Sequence, residues 1–485
     1  MPLPTIPSGN VASALPSGYD VDNSCRFNRA DSPYMHITPG GDGDLKIFTV
    51  SFWVKRVSVN GGTSGTDREV IFSNATNDQF SFHNDKFEFL EDGSTSASTN
   101  MLFRDFAAWY HIVAAFDTNQ ATNTNRCKIY VNGVQVDQST GFSTMSYVGE
   151  DLEMGFGKGS EMMSVGRSEY DDNRHFNGYL SEFYYINGTM LTPSSFGEFD
   201  EDSPTIWKPK EFTGSYGTNG FYLDFKASAN LGNDANGGTD LTEVNLAAAD
   251  QMLDTPTNNF PTFNVLAKTN PALAYSGYIL DKGSIRFRGN TEGTSTTTPT
   301  LSMTGGKWYT EFYIEDDPAG AWPVIGVVIT SYISALQNIS NYQHSSIAAA
   351  TSHVDTQNGL IKKFGASSTV TGGTACVDGD VIGIAVDIDA GKWWFAKNNT
   401  WSDSGDPAAG SNALDTFTAG TELSHWVASY NGASYTYINA GQDSTFDGEI
   451  SAGGNADGNG YGDFKYTPPS GFLALCTKNL GSDGG

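Results

Sequence analysis

Hydrophobic residues in the first half of the chain fall into short runs that alternate with polar residues and end at Gly, Asn or Asp. A repeat of two residues is typical of β-strands with one buried face, whereas an amphipathic helix repeats every three to four residues. The run at 109–116 is apolar almost throughout, which predicts a strand buried on both faces. Asn132-Gly133 predicts a tight hairpin turn between two runs. The predicted strands of this half are 48–54, 80–82, 86–89, 109–116, 128–131, 134–136, 178–186 and 220–225.

The second half repeats this pattern. Each half contains an apolar run that ends at an aspartate (Asp117 and Asp387) and continues through a turn into a strand that begins with lysine and contains aromatic residues. We therefore predict an all-β protein made of two concatenated antiparallel β-sandwich, jelly-roll-like domains, at 23–227 and 269–485. The predicted strands of the second domain are 307–314, 324–330, 380–387, 392–396, 426–430 and 471–476.

Two segments do not follow the strand pattern. Residues 1–22 contain Pro2, Pro4, Pro7 and Pro16. Because proline cannot continue a helix or a central strand, this segment is predicted to be an extended arm. Residues 228–268 are predicted to be a linker, with a Gly-rich polar loop, one short amphipathic helix at 241–253 and then a turn sequence.

Charge and composition exclude several classes of function. The net charge of −28 would repel a nucleic acid or an anionic membrane surface. The longest apolar run, 106–116, is too short to span a bilayer, and the N-terminus lacks the features of a signal peptide. The cysteines are expected to be small buried hydrophobes, which suits synthesis in a reducing cytoplasm; they are Cys25, Cys127, Cys376 and Cys476.

An ordered series of motifs in the first half resembles the laminin G-like, concanavalin A-like lectin domains. This resemblance covers about 23–227 and implies a sandwich whose loops bind a glycan or a protein without catalysis. The motifs that carry it are 48–54, 109–112, 128–133, 165–167 and 176–183.

The second half is similar to the SPRY (B30.2) domains, through motifs at 306–311, 325–327, 379–387 and 392–395. The order of the two domains is similar to that in structural proteins of tailed bacteriophages. The resemblance therefore implies a protein of the virion, made in the host cytoplasm.

No catalytic residues are predicted. A glycosidase on a concanavalin-like sandwich needs two carboxylates at a fixed separation, and the strand signature Glu-x-Asp-x-Glu that would supply them is absent from the sequence. Zincin, nucleophile-elbow and phosphate-loop motifs are also missing. His111 lies inside the most apolar run and is predicted to be a core side chain with satisfied hydrogen bonds.

Candidate ligand-binding residues are exposed aromatics and loop carboxylates. Trp401, in a polar loop, and Trp322, before a proline, are the tryptophans expected to stack on a sugar. Asp171, Asp172 and Asn173 follow the motif at 165–167, in a region where laminin G-like domains bring ligands close.

Calcium is the one candidate cofactor, because lectin-like sandwiches often hold it with loop carboxylates and carbonyls. Its candidate ligands are Asp171 and Asp172 in one loop, and Asp117 and Asn119 in the loop after a central strand.

Three functions are compatible with these observations. The first is a tail-fibre or tail-tip adhesin that binds a host surface glycan or protein. The second is a capsid decoration or other structural accessory protein, because an extended arm can pair with the sheet edge of a neighbouring virion protein. The third is a polysaccharide-degrading enzyme. Under the first two, the partners are other virion proteins and the host surface, a homo-oligomer is expected in the particle, and no nucleic acid or membrane insertion is involved.

Overall fold

The computed structural model describes residues 18–59, 68–171, 174–201, 203–267, 279–289, 294–315, 323–336, 347, 349–366, 368–430 and 434–483. In this part of the chain β-strands dominate, which confirms the all-β prediction. The chain divides into two compact units, one spanning Leu15–Thr257 and the other containing Asn258–Gly485. Most of the predicted arm, residues 1–17, lies outside the described residues, as do Asp172, Asn173 and Trp322.

The first unit is a β-sandwich of two large sheets and one small ribbon. Its strands are β1 (Ser24–Phe27), β2 (Tyr34–Ile37), β3 (Ile47–Arg56), β4 (Glu69–Asn74), β5 (Gln79–His83), β6 (Lys86–Glu91), β7 (Ser94–Thr99), β8 (Tyr110–Asp117), β9 (Cys127–Val131), β10 (Val134–Gln135), β11 (Phe142–Met145), β12 (Met163–Val165), β13 (Gly178–Asn187), β14 (Gly197–Phe199), β15 (Trp207–Pro209), β16 (Phe221–Leu223), β17 (Thr242–Val244) and β18 (Gln251–Met252).

One sheet has the order β10-β9-β8-β3-β13-β1-β18, with β16 on β13, and the other has the order β11-β7-β6-β5-β4-β12-β2-β17; β14 and β15 form the ribbon. Alternation along the strands sends aromatic side chains between the two sheets. Phe52 of β3 stacks on Phe183 at 5.7 Å, and Phe183 meets Phe72 of the facing sheet edge-on at 5.4 Å. These rings belong to one continuous hydrophobic core.

The short helix predicted at 241–253 is not formed. This segment contains β17, a 3-10 turn at Ala248–Asp250, and β18. Asn245, between them, has a φ of 54°, which is incompatible with a continuous helix. Pairing with the strands β2 and β1 decides the conformation, because β17 and β18 satisfy backbone groups on the edges of those two strands that a helix at 241–253 would leave unpaired.

The first sandwich therefore extends to Thr257 and includes residues that the sequence placed in the linker 228–268. Asp254 shows how firmly this segment is attached. Its carboxylate accepts hydrogen bonds from Lys55 Nζ at 2.6 Å and Trp109 Nε1 at 3.1 Å, and the side chains of the ion pair are fully buried.

The second unit is also a two-sheet sandwich. One sheet has the order β19-β20-β32-β22-β27-β28-β29, with β30 on β28 and β33 parallel to β22, and the other has the order β21-β31-β23-β24-β25-β26. Its strands are β19 (Ile279–Asp281), β20 (Arg286–Arg288), β21 (Thr294–Thr297), β22 (Lys307–Glu315), β23 (Val324–Ile329), β24 (Thr351–Asp355), β25 (Leu360–Lys362), β26 (Val370–Thr371), β27 (Val381–Asp387), β28 (Lys392–Lys397), β29 (Thr400–Trp401), β30 (Asp415–Thr416), β31 (Leu423–Tyr430), β32 (Tyr435–Asn439) and β33 (Leu473–Ala474).

Helical structure is limited to short pieces. The α-helices of the described residues are α1 (Ile333–Leu336) and α2 (Thr477–Asp483). None of the described helices is long and apolar enough to cross a membrane. Further 3-10 turns lie at Arg29–Asp31, Asn123–Asn125, Pro193–Ser195, Thr330–Tyr332 and Ser402–Ser404.

The predictions for the cysteines and for His111 are confirmed. The four cysteines are buried, and none forms a disulfide with another described cysteine. The His111 ring is enclosed, with Nδ1 accepting a hydrogen bond from Trp207 Nε1 at 2.9 Å and Nε2 lying 2.9 Å from Ser51 Oγ. Burial lowers the pKa of His111 to about 3, so that the ring is a neutral core side chain at neutral pH.

Candidate functional site

The outer face of the sheet that contains β4, β5, β12 and β2 is polar. Cross-strand pairs share a face, and the register places Ser73 of β4 beside Ser164 of β12, and Ser164 beside His36 of β2. Ser73 also pairs with Gln79 of β5. One side of this sheet closes the core, and the other carries hydroxyl, amide and imidazole groups, of which Ser73, Gln79 and Ser164 are buried.

A loop at residues 166–171, termed here the Tyr170 loop, lies across this polar face. Ser73 Oγ donates to the Arg167 carbonyl at 2.8 Å and accepts from the Glu169 N–H at 2.9 Å. Gln79 Nε2 donates to Ser168 Oγ at 3.0 Å. Since strand side chains bond the loop at three points, the sheet fixes its conformation.

Arg167 and Glu169 form the base of the loop. The guanidinium of Arg167 lies 3.6 Å from the centroid of the Tyr34 ring, in a cation–π contact. Its Nε and Nη2 donate to Glu169 Oε1 at 3.0 and 2.9 Å. The Ser164 hydroxyl donates to the same oxygen. These opposite charges are therefore paired and held against the sheet.

Tyr170, at the tip of the loop, points into solvent with 70% of its surface exposed. Its backbone N–H donates to Ser168 Oγ at 3.3 Å, which orients the tip. Beside it, Asp171 Oδ2 lies 3.1 Å from Arg174 Nε as an ion pair. An aromatic ring on a rigid support, next to fixed hydrogen-bonding groups, can stack on the apolar face of a sugar while the polar groups reach its hydroxyls.

The structure places Asp171 in this site and three other predicted residues, Trp401, Asp117 and Asn119, elsewhere. Asp171 was named from the resemblance alone, and Tyr170 was missed, although an aromatic between Glu169 and Asp171 in a polar loop is itself a signal of exposure. Trp401 is half-buried: β29 pairs with β28, and the indole packs edge-on against Tyr309 at 6.5 Å. Trp401 is therefore only partly exposed, and its stacking on a sugar stays a prediction.

Asp117 and Asn119 share one turn, in which Asp117 Oδ1 accepts from the Asn119 N–H at 3.1 Å. The other oxygen, Oδ2, accepts from Gln120 Nε2 at 2.5 Å. Nowhere in the described residues do three or more His, Cys, Asp or Glu side chains gather as a metal site. Because Asp172 lies outside those residues, calcium at Asp171 and Asp172 stays a prediction.

Two carboxylates on this sheet and its loop, Glu88 and Glu169, are paired with arginine. Glu88 of β6, largely buried, accepts from Arg68 Nη2 at 2.8 Å and from Ser98 Oγ at 3.0 Å. Glu169 is bound by Arg167 in the same way. Both carboxylates are therefore engaged in ion pairs within the protein.

Two buried glutamates with raised pKa values were not anticipated from the sequence. Burial raises the pKa of Glu311 to about 7, although the N–H groups of Lys465 and Tyr466 donate to it at 2.7 and 2.8 Å. Burial also raises the pKa of Glu182, which accepts from three tyrosine hydroxyls. Both side chains are enclosed within their own units, so they connect strands rather than face a substrate.

Comparison with known proteins supports a lectin-like fold for the first half. A family model described as the concanavalin A-like lectin/glucanases superfamily matches residues 30–194, a range that includes the Tyr170 loop. A search of the curated proteins found no match.

Several solved structures are similar at low identity. The SPRY domain of human HERC1 is 17% identical, covering 33% of this chain and 91% of that one, with a TM-score of 0.27. A human SPRY domain is 16% identical, covering 34% and 96%, with a TM-score of 0.25. A heptameric SAP-like pentraxin from Limulus polyphemus is 16% identical, covering 36% and 80%, with a TM-score of 0.27.

Proposed function

We propose that this protein is a non-catalytic surface component of a bacteriophage virion, a tail-fibre or tail-tip adhesin, and that its Tyr170 loop binds a host surface glycan. The observation that carries the glycan site is the 70% exposure of Tyr170 on a loop fixed to a polar sheet face. A sugar ring that covers Tyr170 removes the apolar surface of the tyrosine from water. The exposed position of Tyr170 therefore favours a ligand with one apolar face.

The polar groups around Tyr170 suit hydroxyl ligands. Asp171, next to Tyr170 in the chain, supplies acceptors and Arg174 supplies donors, and their ion pair holds the two side chains together. Preorganised groups lose little conformational entropy on binding. Each hydroxyl of a pyranose can both donate and accept, so a charged pair of opposite sign can serve two neighbouring hydroxyls.

The carboxylate chemistry of the site supports binding over hydrolysis. Hydrolysis of a glycosidic bond needs one carboxylic acid and one carboxylate on opposite sides of the bond. Glu88 and Glu169 instead form ion pairs with Arg68 and Arg167. We therefore assign the polar face a recognition role.

The virion context rests on the order of the two domains, which is similar to that in structural proteins of tailed phages. In that setting the chain would be made in the host cytoplasm and assembled with other virion proteins, as a homo-oligomer in the particle. The acidic surface, with a net charge of −28, would limit nonspecific adsorption to nucleic acid and to anionic membranes.

The test is binding of the full chain to a glycan array and to host cells, with Tyr170→Ala as the variant. We expect Tyr170→Ala to weaken glycan binding about tenfold, because the stacking contact is lost. Tyr332→Ala, which removes another exposed aromatic in the second unit, is the matched control and should bind like the parent. Absence of any glycan or cell binding would overturn the proposal, as would a Tyr170→Ala protein that binds normally.

Repeating the array in EDTA examines the calcium prediction. Binding that is lost in EDTA and restored by calcium would support a cation at Asp171 and Asp172. Binding that is unchanged in EDTA would assign recognition to the side chains alone.

A further inference from the structure

A pocket lies on the other large sheet of the first unit, opposite the sheet that carries the Tyr170 loop. It is formed where strand β9 faces the ribbon of β14 and β15, and its volume is about 460 Å³. This size lies within the range of small-molecule sites, roughly 300 to 1,000 Å³. We name it the ribbon pocket; its aromatic lining is Tyr130, Phe199 and Trp207, and its polar lining includes Ser194, Glu198 and Lys210.

The floor of the ribbon pocket is rigid. Trp207 is buried, and its Nε1 donates to His111 Nδ1 at 2.9 Å. Gly133 and Gly197 pack against the indole so closely that a Cβ on either would lie within 3 Å of ring atoms. Two backbone contacts and one hydrogen bond therefore fix the ring in the absence of any ligand.

One wall of the pocket is an exposed aromatic. Phe199 is 43% exposed and meets Trp207 edge-on at 4.9 Å. Phe199 of β14 is paired with Trp207 of β15, so the two-stranded ribbon holds the phenyl ring beside the indole. A phenylalanine in this position leaves apolar surface in contact with water until a ligand covers it.

The rim of the pocket is polar and carries no net charge. The Ser194 and Thr192 hydroxyls lie 2.9 Å apart, and the rim also holds Glu198 and Lys210. Glu198 Oε1 lies 3.8 Å from Lys208 Nζ, which also lies 3.3 Å from Asp200 Oδ2. With Lys210, two ammonium groups and two carboxylates therefore balance each other at this edge of the pocket. An anionic ligand would face Glu198 and a cationic one would face Lys210, so charge complementarity favours an uncharged ligand.

We propose that the ribbon pocket binds a neutral saccharide unit, as a second contact separate from the Tyr170 loop. An aromatic floor and wall suit the apolar C–H face of a hexose, and hydroxyl and charged groups at the rim suit its edge. The assignment goes beyond the proposed function, because it adds an independent site on the other sheet of the same sandwich. Because the two sites lie on opposite sheets, one protein could bind two separate glycan chains through them.

Titration of the full chain with maltose, lactose and mannobiose, followed by saturation-transfer NMR and calorimetry, tests this site. We expect Phe199→Ala to weaken binding of at least one of these disaccharides by fivefold or more, and Phe199→Tyr to retain it. Because Phe199 also packs against Trp207, the melting temperature of each variant is measured to separate a loss of binding from a loss of stability. Tyr170→Ala should leave this component of binding intact.

The outcomes separate the two sites. If Phe199→Ala binds every disaccharide like the parent, or if none of the three binds to the parent, the ribbon pocket is not a saccharide site. A glycan-array signal that depends on Tyr170 would then still support the proposed function. Conversely, disaccharide binding that depends on Phe199, without any effect of Tyr170→Ala on the array, would support the pocket and overturn the Tyr170 loop.

Discussion

At the scale of single residues, burial of ionisable groups determines how the protein responds to pH. His425 of β31 lies in the core of the second unit, edge-on to Phe312 at 5.5 Å. Its ring nitrogens are buried and make no hydrogen bond with the part of the chain that the structure describes. Burial lowers the pKa of His425 from 6.5 to about 3. The folded ring therefore stays neutral where an unfolded histidine takes up a proton.

This difference predicts acid sensitivity of the second unit. Between pH 6.5 and 3 the unfolded state binds more protons than the folded state. The stability contributed by His425 is therefore complete above pH 6.5, and it decreases by up to about 1.4 kcal/mol for each unit by which the pH is lowered. Between pH 7 and pH 4.5, we expect the free energy of unfolding to fall by about 2 to 3 kcal/mol less in His425→Leu than in the parent. Denaturant unfolding at both pH values measures this. Ser424→Ala on the same strand is the control, and identical pH profiles for His425→Leu and the parent would contradict the prediction.

The site residues were predictable only where sequence carries a local signal. Asp171 could be named because it follows a recognisable motif. Tyr170 could have been found from its polar neighbours, but its rigidity depends on Ser73 and Gln79, which are distant in sequence. Trp401 looked exposed in a polar stretch, yet pairing of β29 with β28 brings it onto the sheet. Exposure of an aromatic thus depends on strand pairing, which a single sequence does not reveal.

At the scale of elements, alternation predicted long strands well and short strands poorly. The predicted strand at 48–54 lies within β3, and Asn132 and Gly133 form the turn between β9 and β10 with φ values of 46° and 80°. β17 and β18 have three and two residues, too few to show a period of two. Their conformation comes from pairing with β2 and β1. The helix prediction at 241–253 was wrong because this pairing between distant residues cannot be read from the local sequence.

The attachment of residues 228–257 can be tested by truncation. A fragment of 18–227 would lack Asp254, which would leave Lys55 buried without its carboxylate; loss of one partner of a buried pair costs about 3 to 5 kcal/mol. It would also leave β1 and β2 with unpaired edges. We expect a fragment of 18–257 to melt cooperatively and one of 18–227 to lack a cooperative transition, as followed by circular dichroism. Equal folding of the two fragments would show that the segment is dispensable.

At the scale of the whole molecule, the chain consists of two sandwich units with their aromatic residues between sheets and their irregular loops at the surface. Such a scaffold needs no movement to present a binding loop, because β-sheet hydrogen bonds already fix its supports. The sequence predicted this architecture from alternation and turn residues. It could not predict which loop combines exposure with rigid support, because that property arises from contacts between distant strands.

The most direct test of the central claim is a crystal structure of the full protein with a glycan selected on the array. We predict a sugar ring stacked on Tyr170 at van der Waals distance, about 4 Å, with hydroxyls bonded to Asp171 or Arg174. An intact glycosidic bond in that complex would agree with a binding role. A glycan bound away from both the Tyr170 loop and the ribbon pocket, or one cleaved between two carboxylates, would contradict it.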